Sequence, residues 1–165
     1  MNPLAKLSDL TAAIDFESEE YCSFFDRDTG QIVTLNRTIY EAVEKCDEEA
    51  LKKFASSEKE EIDIARVIAD DTEGRFIAPP NKFDFDEYKH MERFILSLSD
   101  EKAVAQLWNE IKGKRAFHHF KDTLYRLRME NQWFLYRDEA IKEYVHEWVE
   151  AHDVPCEDGD RDRKR

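Results

Sequence analysis

Glycine and proline are scarce in this sequence, with four of each among 165 residues. A sandwich or barrel of short strands needs turn formers at roughly 8–12-residue spacing. An all-β fold is therefore excluded and helices are expected to dominate. Cysteine is scarce too: Cys22, Cys46 and Cys156 are odd in number and widely spaced, with no CxxC pair. Reduced thiols in a cytoplasmic protein are expected, and zinc or redox-dithiol chemistry has no support. No apolar run reaches about 18 residues, so no membrane-spanning helix is expected. The opening MNPLAKLSDL lacks the apolar core of a secretory signal. GxGxxG, GxxxxGK[ST] and GxSxG are all missing, which leaves phosphate cradles and nucleophile elbows unsupported, and no cofactor is expected. No internal repeat is evident.

What the chain does have is charge. Charged residues make up 38% and hydrophobic residues 41%, and the formal net charge is −13. The length suits one domain with a real core. A single globular domain over residues 1–154 is expected, followed by a disordered, charged tail over 155–165.

Periodicity sets out the order of elements. Asn2-Pro3 reads as an N-cap pair for a helix over 3–14, with Leu4, Leu7, Leu10 and Ile14 on one face. Tyr21–Phe25 and Gln31–Leu35 read as strands around a turn containing Asp26 and Gly30. A lone hairpin is marginal, so it must pack on helices or pair with another strand. Thr38 with Glu41, Ser57 with Glu60, and Asp84 with Glu87 have capping-box spacing. Ile39, Ala42, Val43, Cys46, Ala50, Leu51 and Phe54 follow at helical period, then Ile64, Ala65 and Ile68. Residues 75–78 read as a short extended piece before Pro79-Pro80. Tyr88, Met91, Ile95 and Leu98 mark the next buried face, with Glu87 and His90 outside it. Ser99 reads as the cap of a helix burying Val104, Leu107, Trp108 and Ile111. A last helix over about 132–151 buries Trp133, Ala140, Ile141, Tyr144, Val145 and Trp148. The fold expected is α+β and mostly helical, an N-terminal two-stranded β-hairpin packed on a bundle of about six helices.

Two segments stand out by charge. From Glu41 to Glu73 there are twelve acids and five bases, a net of −7. This acidic helical face reads first as a solvated surface, and otherwise as a docking surface or a mimic of nucleic-acid charge. The opposite pole is GKRAFHHFKDTLYRLR, residues 113–128. As a helix it gathers Ala116, Phe117, Phe120, Leu124 and Leu127 within about a 100° arc. Gly113 closes the preceding helix and makes a sharp corner. Over residues 112–128 six lysines and arginines face one aspartate, a net of +5. Lys114, Arg115, His118, His119, Lys121 and Arg126 form the candidate binding rim. Such a rim suits structural or self-complementary charge, protein docking, or salt-sensitive phosphate contacts.

Catalytic and metal readings are weaker. Glu87-x-x-His90 and Glu143-x-x-His146 have the spacing of di-iron bundles, but such groups must face a core, and the periodicity places both pairs outside it. His118 and Asp122, four apart, could act as a base and its orienter; an exposed pair of this kind is ordinarily a weak surface contact. No catalytic residue and no metal site is assigned.

Several residues follow one another in a familiar order: Asp26 with Thr29-Gly30, Ile77-x-Pro79-Pro80, Tyr88-x-x-Met91-x-x-Phe94-Ile95, then Gly113-Lys114-x-Ala116-Phe117-x-x-Phe120-Lys121-Asp122, Trp133 and Glu147-Trp148. Over about residues 4–152 the chain resembles the bacterial uncharacterised protein family numbered 158 in the UPF series. The family pattern has glycine at the position of Arg115 and arginines at those of His118 and His119, and this chain departs there. The resemblance implies a bacterial cytoplasmic setting and carries no activity, catalytic residue or cofactor.

The function expected is a non-enzymatic protein-interaction or regulatory module acting through the 113–128 rim and the acidic 41–73 face, with an unidentified protein partner or self-association and no membrane. A nucleic-acid-associated protein using the same rim is the alternative, and a metal-dependent enzyme the third reading.

Overall fold

The computed structural model describes residues 4–16, 18–54 and 58–157. The fold is α+β and mostly helical. The described residues gather into two compact units, one within 1–81 and 147–165 and the other within 82–146.

The first unit is built on the hairpin. Strands β2 (Tyr21–Asp26) and β3 (Gln31–Asn36) pair antiparallel, from Tyr21↔Asn36 to Asp26↔Gln31. The turn closes through Gly30 N donating to Asp26 O at 2.8 Å, with Gly30 at φ +73°. The expected two-stranded hairpin gains a third strand. β4 (Phe76–Ile77) pairs antiparallel with β2, giving the order β3-β2-β4. The residues before Pro79-Pro80 are extended, as proline's neighbour must be, and β2 supplies their hydrogen-bond partners. Asp26, buried at the β2 end, takes both Arg75 donors at 2.9 and 3.0 Å. Burial alone would raise its pKa. The hydrogen bonds from Arg75 and from Asp28 N outweigh that and hold the carboxyl below its ordinary range.

Helices α2 (Arg37–Glu44), α3 (Glu48–Lys52) and α4 (Lys59–Ala69) complete one cluster. Leu35, Ile39, Ala42, Val43, Leu51, Ala65 and Ile68 are its buried members. Strand β1 (Ala5–Lys6) leads into α1 (Leu7–Asp15), which buries Leu10 and Ile14. β1 pairs in parallel with β5 (Cys156–Glu157), so two residues expected in the tail are paired. Residues from 158 on lie outside the described set.

The second unit holds α5 (Lys82–Phe85), α6 (Glu87–Leu96), α7 (Glu101–Glu110) and α8 (Ala116–Arg126), and α9 (Glu130–Ala151) through residue 146. The nine helices among the described residues exceed the six expected. The added ones are short and arise from breaks that periodicity alone does not mark. Met91, Phe94, Ile95, Leu107, Ile111, Phe120, Leu124 and Trp133 form the core. Trp133 meets Phe94 and Phe120 edge-on, with centroids 5.3 and 5.0 Å apart.

The structure corrects several helix starts and faces. α1 begins at Leu7, not residue 3, and Leu4 is exposed; Asn2 and Pro3 lie outside the described residues. Asn36, not Thr38, caps α2: its side chain accepts from Thr38 N at 2.9 Å and Ile39 N at 3.3 Å. β3 runs straight into the helix, so the last strand residue takes the cap and Thr38 is already inside. The period from Ile39 to Phe54 is broken at Cys46, which has φ +54°. Ser57 lies outside the described residues. Asp86, not Asp84, caps α6, and Asp100, not Ser99, caps α7. In each corrected cap an Asp or Asn side chain takes the free N–H groups of the first turn. Ile64 is exposed because the inward face of α4 centres on Ala65. On α6 Met91 and Ile95 are buried as expected, and the face differs in its first turn. Glu87 is buried, while Tyr88 is exposed, its hydroxyl donating to Ile111 O at 3.1 Å. Glu87 can be buried because Arg137 from α9 donates to its carboxylate, which offsets the cost of taking the charge out of water.

Asn36→Ala should lower unfolding free energy by about 1 kcal/mol, and Thr38→Ala by less than about 0.5 kcal/mol. Urea denaturation followed by circular dichroism measures both. A larger loss at Thr38 would return the cap to the sequence-based position.

Candidate functional site

The site is the corner between α7 and α8 and the outer face of α8. After Glu110 the chain turns through residues 111–115. Gly113 has φ +100° and open space where a Cβ would stand, so its backbone angle, not crowding, is what calls for glycine. Arg115, the residue before α8, is also left-handed at φ +60°, ψ +30°, and its side chain makes no capping bond. That conformation costs a non-glycine residue roughly 1–2 kcal/mol.

From Ala116 on, packing decides what faces out. Phe120, Thr123 and Leu124 are buried, and Ala116, Phe117 and Leu127 pack against the same core. Lys114, Arg115, His118, His119, Lys121 and Arg126 are all exposed, as are Asp122 and Tyr125. The structure therefore brings all six sequence-derived rim residues onto one segment's solvent side.

Their local contacts are weak. His118 Nε2 lies 3.3 Å from Asp122 Oδ2, and His119 Nδ1 lies 3.9 Å from Glu110 Oε2. Exposed pairs of this kind contribute a few tenths of a kcal/mol. Lys121 Nζ sits 4.4 Å above the Phe117 ring, and Lys82 Nζ is 5.5 Å from the same ring. Arg126 donates to Thr123 Oγ1 at 3.0 Å. Among the described residues, Lys114, Arg115, Lys121 and Arg126 enter no ion pair. Their charge stays available to a partner.

The Glu-x-x-His pairs do not form a site. Glu87, expected outside, lies inside, but Arg137 occupies its carboxylate. His90 is half-buried and stacks on Phe85 at 4.4 Å. Burial, and then the charge of Arg93, hold its imidazole below the ordinary pKa. Glu143 is exposed and His146 half-buried. Among the described residues no three His, Cys, Asp or Glu side chains gather in a metal-holding group.

Two features escaped the sequence reading. The first unit has an open, polar cleft of about 620 Å³ lined by Asp28, Asp70, Asp71, Glu73 and Arg75 among others. Its carboxylates come from separated segments, and only the density of Asp and Glu around 70–73 hinted at it. The second unit has an apolar groove of about 680 Å³ between α6 and α7, lined by Leu96, Leu98, Val104 and Trp108. Leu96 is 71% exposed there.

Fold and surface together define a mostly helical α+β protein whose distinctive exposed feature is a cationic helix rim on an acidic chain. The chain belongs to the uncharacterised protein family UPF0158, which matches residues 1–158. No curated protein and no solved structure matches it.

Arg115→Gly should raise stability, because the left-handed strain removed exceeds glycine's entropic cost of roughly 0.5–1 kcal/mol. Arg115→Ala keeps the strain and should not. Thermal melts of the two variants give the comparison, and equal shifts would remove the strain argument. His90 binds its proton less readily when folded than when unfolded. Its contribution is fully present above about pH 6.5 and is lost as pH falls through its lower folded value. His90→Phe keeps a ring on Phe85 and should flatten the acid-side fall in stability. Parallel wild-type and variant curves from pH-dependent urea melts would rule His90 out as a cause.

Proposed function

We propose that this protein is a non-enzymatic interaction module of the bacterial cytoplasm, docking a partner on the cationic rim of α8. The observation that carries the reading is the set of exposed rim cations, of which Lys114, Arg115, Lys121 and Arg126 enter no ion pair among the described residues. Surface charge held in local pairs contributes little to recognition. Charge left open steers a partner of opposite sign and suppresses others. The acidic 41–73 segment is the second charged surface such a module offers.

Nucleic acid is the second reading. Tyr125 is 72% exposed among Lys121 and Arg126, and an aromatic ring among cations suits a single strand. The net charge of −13 opposes it at long range.

Affinity capture from nuclease-treated lysate should retain a defined protein on wild type. A folded variant carrying Arg115→Glu, Lys121→Glu and Arg126→Glu should lose it. Identical, empty captures would count against docking through this rim. Capture that disappears with nuclease treatment would favour the second reading.

A further inference from the structure

Two exposed patches on this chain are alike in build and opposite in charge. On α8, Tyr125 is 72% exposed. Lys121 and Asp122, four and three positions before it, are exposed on the same face, and Arg115, His118 and Arg126 are exposed on the same segment. On α4, Ile64 is 42% and Val67 50% exposed. Glu60, Asp63 and Asp70 are exposed at the neighbouring three- and four-residue steps of the same face. Each patch is an apolar centre with a charged rim, the make-up of a protein interface. One rim is cationic and the other carboxylate.

Neither rim is neutralised locally. Among the described residues, the ion pairs on the α8 face involve only the histidines, and the one on α4 joins Arg66 to Glu48 at 4.0 Å. The segments carrying the patches have net charges of +5 over residues 112–128 and −7 over 41–73.

We propose that the α8 rim docks on the acidic α4 face of a second copy of this chain. Tyr125 packs against Ile64 and Val67, and Lys121 and Arg126 face Glu60, Asp63 and Asp70. The proposal rests on reading the rim as a docking surface and names its occupant. Charge complementarity selects the second copy. A chain of net charge −13 repels its own kind everywhere except where a basic patch meets an acidic one. The apolar residues then supply the area that salt-screened charge cannot. If both rims of a pair engage, the product is a closed two-fold dimer. If one engages, the contact repeats head to tail.

Sedimentation velocity on the full chain, over a range of concentrations and at low and high salt, tests this. Wild type should associate with rising concentration at low salt and dissociate at high salt. Lys121→Glu with Arg126→Glu, and separately Glu60→Lys with Asp63→Lys, should each raise the dissociation constant about tenfold or more. An equimolar mixture of the two double variants should associate again, because the carboxylates of one rim then meet the lysines of the other face. Val67→Ser, which leaves every charge in place, should weaken wild-type association and serves if a charge variant fails to fold. A wild type that stays monomeric throughout overturns the proposal. So does association that no variant weakens, or loss in both charge variants that mixing does not restore. Rim-dependent capture of an unlike protein by a monomeric wild type would sink the second-copy proposal and leave the rim reading intact.

Discussion

The edge-on contact of Phe120 with Trp133, 5.0 Å between centroids, governs what the second unit presents to solvent. Phe94 meets the same indole from another side. Once Phe120 is held there, α8 cannot rotate about its axis without pulling a large ring from the core, which would cost several kcal/mol. The helix period then sends His118, Lys121, Asp122, Tyr125 and Arg126 outward. The cationic rim is thus a by-product of core packing. Its charges need no partners of their own to hold their places.

The first unit rests on a different constraint. A two-stranded hairpin cannot support itself. Here β4 closes its free edge, and the buried carboxylate of Asp26 ties the end of β2 to Arg75 just before β4. Arg75 also lies 3.2 Å from Asp28 in the turn. Hairpin turn and third strand are therefore joined by charge as well as by the ladder. Next to this junction opens the polar cleft, whose carboxylates are drawn together from the hairpin turn and the α4–β4 loop.

Buried polar groups mark where sequence reasoning went astray. Amphipathic periodicity treats a glutamate as outward, and on α6 that assumption put Tyr88 inside in place of Glu87, while Met91 and Ile95 are buried as expected. Glu87 is inside because Arg137, fifty positions away in sequence, meets it. No local pattern carries that information. Caps failed for a related reason. Capping-box spacing singled out Thr38 and Asp84, and Ser99 stood as the cap of α7, but the cap goes to whichever polar side chain stands where strand or loop becomes helix. That place is set by tertiary geometry. Ile64, read as core and found exposed, shows the same limit on α4. Ala65 and Ile68 fix the inward face, and a third apolar residue nearby falls on its flank.

What the sequence by itself determined, beyond the family its motifs resemble, is the class of fold, the order of the hairpin and main helices, and a basic segment whose six rim side chains lie exposed. These follow from short-range physics: period, turn chemistry and charge density along a single helix. The three-stranded sheet, the β1–β5 pairing, the division into two units, the inward turn of Glu87 and the outward Ile64–Val67 pair were decided only by tertiary structure. Each depends on which distant segment arrives to cover a strand edge, neutralise a charge or claim one face of a helix.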